Sequence, residues 1–443
     1  MRLPAKPPFV AKGFIYSDGL DELIQLGRFS EFLDVSDRKY YYWDKWKYLA
    51  LEWGIDPKLL WYTVKTHRLS NRRIQISAID GFTFRLGNPS VVQEFLHQFD
   101  LNLGGTIQGE SIIPAEERDK YLISSLMEEA IASSQIEGAA TTRKVAKEML
   151  EKNRKPRNTS EQMILNNYEA MKWIVKNKEL PFSVENIKHI HGILTRSTLS
   201  DAEDEGHFRT GNDISVVDVQ TGNSVYVPPD FNNLNQLMCD FCNWANSNEK
   251  NSFFVHPITK GVILHFLIGY IHPFVDGNGR TARTIFYWFL IKKGYWLIEY
   301  MSVSRIILNS KAQYARAYLY TEQDENDLTY FLLYNLRAIR IALEDLKKYI
   351  QRKTEEKRNL LVLLRHTNFN DRQIAILQNL IHDQNTYFTV KQIQTMFGVS
   401  NQTARNDLSG LVEKELLEER KNGLKSQFLP VGDFLTKLLK KKF

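Results

Sequence analysis

The sequence predicts a mainly α protein, a helical bundle carrying a short β-hairpin, followed by a smaller α+β domain. Three observations predict it. Apolar residues recur at three- and four-residue steps through much of the stretch from Ala115 to Gln351. One short alternating run, Val225-Tyr226-Val227, interrupts that pattern and is ended by Pro228-Pro229. Near the end of the chain, three helical segments precede two strand-like runs that flank Asn422-Gly423, a hairpin turn pair.

Residues 1–112 read as an N-terminal domain. Trp43–Trp53 is aromatic and amphipathic, Pro57–His67 is a second helix, and Ile74 to Leu86 is a hairpin turning at Asp80-Gly81. The aromatic stripes fit a core or a partner surface, and no chemistry is assigned to them. Gly104-Gly105 and Pro114 mark the boundary to the bundle, residues 113–350. Within it, Glu116 to Ile136 is a long amphipathic helix. Thr159 with Gln162 reads as a capping box opening a helix through Val175, and Ser183 caps another that holds His189 and His191. Helical periodicity resumes at Asp230 and runs through 257–271, 281–293, 309–321 and 327–351. The charged stretch 351–358 is a solvated linker or an extension of the last helix. Residues 365–443 form the third domain.

Composition sets broad bounds. A chain of 443 residues has room for two or three domains, and 43% hydrophobic content is ample for their cores. A net charge of +6 permits nucleotides or nucleic acid without demanding either. Cys239 and Cys242 are the two cysteines, spaced C-x-x-C inside a helix with no second pair for zinc, and read as inert thiols. The first residues show no signal-peptide pattern, and no stretch reaches the length of a membrane span. The expectation is a soluble cytoplasmic protein with no membrane partner.

Chemistry concentrates in one segment, His272-Pro-Phe-Val-Asp-Gly-Asn-Gly-Arg-Thr-Ala-Arg283. A helix ends before it and another starts inside it, so the loop lies at a helix N-terminus with unpaired N–H groups. Gly277, Asn278 and Gly279 can wrap those groups around phosphate oxygens. Arg280 and Arg283 lie three apart on one helix face, and guanidinium forks suit phosphate. Asp276 offers one hard oxygen to magnesium, which often takes one or two carboxylates plus substrate phosphates. His272 can take a proton near neutral pH, and Phe274 anchors the loop. Gly-Asn-Gly alone is a common turn and a lone histidine is usually structural. Eight matched positions have random odds on the order of one in ten billion, which favours function.

This segment resembles the full signature of the Fic family, H-x-F-x-[DE]-G-N-G-R-x-x-R. The resemblance implies a mostly helical Fic-type fold and transfer of AMP from ATP to a Ser, Thr or Tyr hydroxyl of a target protein. It implies His272 as general base, Asp276 as the magnesium ligand, Gly277, Asn278 and Gly279 as the phosphate cradle, and Arg280 and Arg283 at the β- and γ-phosphates. Doc-type kinases usually carry Lys where Gly279 stands, which disfavours phosphoryl transfer here. Tyr314 falls at a spacing suited to the adenine pocket.

Two further patterns resemble the same family. Ser133-Ser134-Gln135-Ile136-Glu137-Gly138, ending the helix of about 116–138, resembles the inhibitory [ST]-x-x-x-E-[GN] pattern, with Ser133 and Glu137 as its fixed residues. The implied brake is an ion pair of Glu137 with Arg283, and in some relatives this glutamate activates water to remove AMP. Gly206-His207-Phe208-Arg209 and the run Val225, Tyr226, Val227 resemble the flap that holds a target segment by main-chain bonds. His256 and His265 fall on helix faces and read as structural.

In the last domain, Asp371 to His382 is one helix. Thr389 with Gln392 opens a second that ends near Phe397-Gly398, Asn401 to Lys414 is a third, and Leu417 to Val431 is a hairpin. The order resembles a winged helix-turn-helix. Ala404, Leu408 and Leu411 would face its core, leaving Asn401, Gln402, Thr403, Arg405 and Asn406 able to read base edges. From Asn385 to Phe443 the net charge is +4, modest for a DNA binder, so DNA and protein both stand as its partner.

Three readings therefore compete: a protein adenylyltransferase restrained by Glu137; a de-AMPylase or transferase of another phosphate-containing group; and a DNA-binding regulator whose core senses a nucleotide. A homodimer that gates the Glu137 helix is a further expectation.

Overall fold

The structure, a computed structural model, describes residues 3–8, 16–70, 72–77, 83–104, 118–214, 216–217, 224–247, 254–364, 368–382, 386–422 and 425–440. Two compact units divide the chain. Residues 1–109 and 120–344 belong to the first, so the N-terminal segment shares a unit with the helical bundle. That segment holds α1 (Tyr16–Gln25), α2 (Phe29–Asp34), α3 (Trp43–Trp53), α4 (Pro57–Ser70), the antiparallel pair β1 (Arg72–Ser77) and β2 (Thr83–Gly87), and α5 (Ser90–Leu103). Its expected turn at Asp80-Gly81 lies outside the described residues.

The bundle comprises α6 (Arg118–Ile136), α7 (Arg143–Glu151), α8 (Thr159–Lys176), α9 (Val184–Thr195), the short antiparallel strands β3 (Val216–Val217) and β4 (Ser224–Tyr226), α10 (Leu234–Asn246), α11 (Pro257–Ile271), α12 (Asn278–Lys292), α13 (Val303–Asn309), α14 (Lys311–Gln323) and α15 (Thr329–Leu364). The N-terminal segment meets it through buried polar contacts. Tyr40 donates to Asp327 at 2.8 Å, and Lys65 pairs with Asp324 at 2.5 Å. At the centre, α11 and α12 pack closely because Gly261 lacks a side chain; a Cβ there would lie 3.1 Å from Leu290. Both helices are buried nearly all round; α11 is apolar on nearly every side, while the first turns of α12 bury Asn278, Arg280 and Arg283.

Two expected details differ, and one left open is decided. The α8 cap is Asn158, whose side chain accepts from Glu161 N, and not a Thr159–Gln162 box. Asn158 is extended, leaving the first helical turn to start one residue later, at Thr159. The single helix expected over 309–321 is broken at Ser310, whose backbone leaves the helical region and whose hydroxyl sits 2.8 Å from that of Tyr334. The charged stretch 351–358 continues α15 as helix.

The second unit includes α16 (Asp371–His382), α17 (Val390–Phe397), α18 (Asn401–Glu413), the antiparallel hairpin β5 (Leu417–Asn422) and β6 (Lys425–Pro430), and α19 (Phe434–Lys440). Thr389 and Gln392 form a true capping box, and Gly398 closes α17 in the left-handed region at φ 63°. Ala404, Leu408 and Leu411 are fully buried, with Ile376, Ile393 and Phe428 in the same core. The helix α19 was not expected; Phe434 and Leu438 join this core. The expected turn residue Gly423 lies outside the described residues.

Candidate active site

The site begins where α11 stops. His256 caps its start, and Pro257 occupies the first turn, where no N–H is needed. At the other end His272 turns left-handed at φ 49°, and Pro273 forbids further helix. A non-glycine residue in this conformation carries a strain that its surroundings must hold. Arg209 supplies much of that hold: its Nε donates to His272 O at 3.0 Å, and its N–H donates to Pro273 O at 2.9 Å. The same guanidinium donates to Gly211 O and Pro229 O, so one buried arginine ties the 272–283 loop to both flanks of the β3–β4 pair.

The His272 ring lies 3.2 Å from Gly269 O through Nδ1. A carbonyl only accepts, so Nδ1 carries the proton and Nε2 keeps a free lone pair. Burial pushes the ring below the ordinary histidine range.

The loop is closed from within. Phe274 is fully buried and stacks on His191 at 3.7 Å, with the planes 3° apart. The Asn278 side chain accepts from Phe274 N at 3.0 Å and donates to Phe274 O at 2.7 Å. His191 accepts from Gly206 N at Nδ1, so its Nε2–H donates to Asp276 O at 2.8 Å. Burial first of all pushes His191 down to about 4, which keeps it neutral. Gly277 is left-handed at φ 81°, and a Cβ there would lie 2.9 Å from Thr195.

Past this turn α12 starts. Its first intrahelical bond runs from Thr281 N to Gly277 O, so the N–H groups of Asn278, Gly279 and Arg280 are free for an anion. Arg280 and Arg283 are 0% and 2% exposed. Arg280 donates to Leu194 O at 2.9 Å and lies 3.3 Å from the Asp276 carboxylate. Arg283 donates to Ser133 Oγ and Ser133 O at 2.9 Å each, and pairs with Glu137 Oε1 at 2.9 Å. Of the nitrogens of these two guanidinium groups, Arg280 Nε and Arg283 Nη1 are buried with no hydrogen-bond partner. A buried donor left unpaired costs about 1–3 kcal/mol, so both fit a site built for an acceptor-rich ligand. Asp276 stands apart, with 60% of its side chain exposed.

Glu137 lies directly over this cradle. A Cβ on Gly279 would sit 2.2 Å from its carboxylate, so a side chain there would push the Glu137 carboxylate from its present place. The helix that delivers Glu137 is anchored at two levels. Glu129, buried within α6, accepts from Tyr287, Ser302 and Ser304. At the helix end, Lys311 donates to the carbonyls of Gln135 and Ile136 at 2.8 and 3.1 Å, satisfying orphan acceptors there.

Of the flap residues, Tyr226 donates to Tyr270 O at 2.8 Å, Val227 is exposed, and Val225 lies in β4. Beneath them is a cleft of about 570 Å³ whose lining includes Tyr226, Val227, Tyr270 and Glu322. Burial pushes Glu322 up to about 8. Tyr314 does not line this cleft; its hydroxyl lies 2.8 Å from His265 Nε2 and 3.4 Å from Tyr318. His256 pairs with Asp100 at 3.0 Å.

Thus the structure brings His272, Asp276, Gly277, Asn278, Gly279, Arg280, Arg283, Ser133 and Glu137 together. Sequence reading missed Arg209, His191 and Lys311 as supports, and the Asn278 side chain as the loop's clasp. His191 was visible as a helical histidine, but nothing local marks a residue whose partner is 85 positions away.

In the second unit, Asn401, Gln402, Arg405 and Asn406 are exposed on α18 and Thr403 is half-buried. Asn401 is bonded to Gln394, Gln402 to Asn406, and Thr403 to Ser400. Arg405 has no ion-pair partner among the described residues.

A left-handed histidine, a glycine-framed helix start and paired buried arginines make one anion-binding site on a mostly helical bundle. Residues 181–290 match the Fic/DOC family, and residues 372–427 match a DeoR-like helix-turn-helix domain; the chain carries both. It is similar to the protein adenylyltransferase Fic of Drosophila mojavensis, 43% identical over 77 residues, 16% of this chain and 15% of that protein. The counterpart in Drosophila willistoni is 33% identical over 130 residues, 28% of this chain and 23% of that protein. This chain therefore spans less than a quarter of these curated relatives. A solved Fic family protein from Desulfovibrio desulfuricans aligns with 77% of this chain and 95% of its own, at 19% identity and a TM-score of 0.49. Among the described residues, no helix is long and apolar enough to cross a membrane.

Proposed function

We propose that this chain is a protein adenylyltransferase that moves AMP from ATP to a hydroxyl of a target protein, restrained by Glu137. The observation that carries the reading is the cradle itself: free N–H groups and two unpartnered buried guanidinium nitrogens beside a histidine whose Nε2 is open. In this reading the target oxygen attacks the α-phosphorus of ATP while its proton passes to His272 Nε2. The bond from that phosphorus to the bridging oxygen breaks, and pyrophosphate leaves. The helix N–H groups, Arg280 and Arg283 hold the charge on the phosphates. Asp276 would hold magnesium. One exposed carboxylate with a single weak contact fits an ion that keeps several waters and takes phosphate oxygens. When bound, the ion neutralises phosphate charge. The exposed edge at Val227 would align the target segment. Glu137 opposes all this by occupying Arg283 and the space over Gly279. The thiols Cys239 and Cys242 are unpaired, and burial pushes Cys242 up to about 12; both suit a reducing compartment such as the cytoplasm.

The test uses the full chain with magnesium and ATP, weighed intact by mass spectrometry. Glu137→Gly is expected to gain AMP, wild type little, and Glu137→Gly with His272→Ala none. Gain in the double variant would refute His272 as the base. The match to a DeoR-like helix-turn-helix supports a second role, DNA binding through α18. Retention on duplex DNA that weakens with rising salt would test it.

A further inference from the structure

A cavity of about 540 Å³ opens between the N-terminal segment and α13 to α15, within one compact unit. Small-molecule sites span about 300–1,000 Å³, so the volume suits one. No residue of the 272–283 loop lines it.

Its lining is aromatic and cationic. Tyr42 and Tyr320 stack at 4.0 Å with planes 12° apart. Their hydroxyls are bonded to Gln323 and Asp44. Tyr42 is buried and backs Tyr320, so the half-buried rings of Tyr320, Tyr334 and Tyr41 are the aromatic surface left to a ligand. Tyr334, also lining, is bonded to Ser310. Five lining residues are Lys or Arg, against one carboxylate, Asp44, which already accepts from Tyr320. Among those cations, Lys45 and Arg316 have no hydrogen-bond or ion-pair partner among the described residues, and Arg337 makes one long bond of 3.4 Å to Lys39 O. Arg38 and Lys39 are paired with Glu94 and Asp34, which leaves Lys45, Arg316 and Arg337 without a carboxylate partner among the described residues; such charge beside ring faces is complementary to a ring that carries an anion.

We propose that this cavity binds a nucleoside phosphate, with its base against the tyrosines and its phosphate on Arg316, Arg337 and Lys45. Guanidinium forks match phosphate oxygens, and rings stack on tyrosine. An apolar ligand would leave the cations unpaired, and a bare anion would leave the rings uncovered. The site does not depend on the catalytic reading. Its position is consequential: lining residue Ser310 adjoins Lys311, which holds the end of the helix bearing Glu137.

The test irradiates the full chain with 8-azido-AMP and maps the label by peptide mass spectrometry, alongside calorimetric titration with AMP, adenosine and inorganic phosphate. Two variants are compared: Lys45→Glu with Arg316→Glu, and Gln313→Trp, which fills the cavity from an exposed position without altering charge. The proposal expects AMP-competed label within residues 38–48 or 310–341, AMP bound more tightly than adenosine or phosphate, and affinity at least about tenfold weaker in each folded variant. Label confined to the 272–283 loop or the cleft beneath the flap would overturn it. So would AMP affinity unchanged in Gln313→Trp, which decides alone if the charge-reversed variant does not fold.

Discussion

The catalytic loop and the helix α18 are both places where this chain would meet a phosphate, and they are built in opposite ways. In the loop, most side chains point inward, Val275 and Asp276 excepted. Phe274, Asn278, Arg280 and Arg283 are buried and bonded within the protein, and the ligand is offered backbone N–H groups and two leftover guanidinium nitrogens. In α18, by contrast, the buried side chains Ala404, Asp407, Leu408 and Leu411 serve the core while Asn401, Gln402, Arg405 and Asn406 are exposed. A loop whose geometry is held from inside cannot lose a residue without moving the whole site. An exposed helix face can lose one side chain and keep its fold.

This difference can be broken or sharpened by experiment. The largest effect is expected from His272→Ala in the Glu137→Gly background, where AMP transfer should fall by about 10²–10⁴-fold, measured by radiolabelled nucleotide incorporation. Because burial depresses His272, the free base persists below pH 6.5, and transfer should hold into mildly acidic buffer before falling. A rate that already halves at pH 7 would contradict this.

Next in size are the supports. Asn278→Ala strands the Phe274 backbone groups and should lower stability by about 1–3 kcal/mol in urea titration, with loss of transfer. His191 gives a pH signature. The unfolded ring protonates near 6.5 and the folded one near 4, so its contribution is full above 6.5 and is lost as pH falls through that window. Between pH 7 and 5 wild type should lose about 2 kcal/mol more than His191→Gln. Equal losses in both would show that His191 is not held neutral.

Lys311→Ala tests the brake more gently than Glu137→Gly. Removing the clamp on Gln135 O and Ile136 O should raise wild-type AMP transfer by a few-fold, since an exposed ammonium–carbonyl bond contributes about 0.5–1.5 kcal/mol. The smallest effect on the fold belongs to Arg405→Ala, expected to weaken DNA binding about tenfold while leaving the melting temperature and AMP transfer unchanged. A large loss of stability there would erase the contrast between the two regions.

Much of this molecule was legible in its amino acids. The motif from His272 to Arg283, the helices of the bundle, the capping box at Thr389 and the inward set Ala404, Leu408 and Leu411 all follow from residue type and spacing, because helix caps, turns and amphipathic faces are local physics. Local signals also misled. Thr159 and Gln162 have the spacing of a capping box, yet Asn158 one residue earlier takes the cap. Only the tertiary structure decided which atoms remain for a ligand. That Arg283 keeps Nη1 free, that Arg209 holds a strained histidine across 63 positions, and that Lys311 grips the helix of Glu137 depend on groups far apart in the chain meeting in a buried space. Hydrogen bonds are satisfied in three dimensions, and no periodicity in one dimension records which distant partner will arrive.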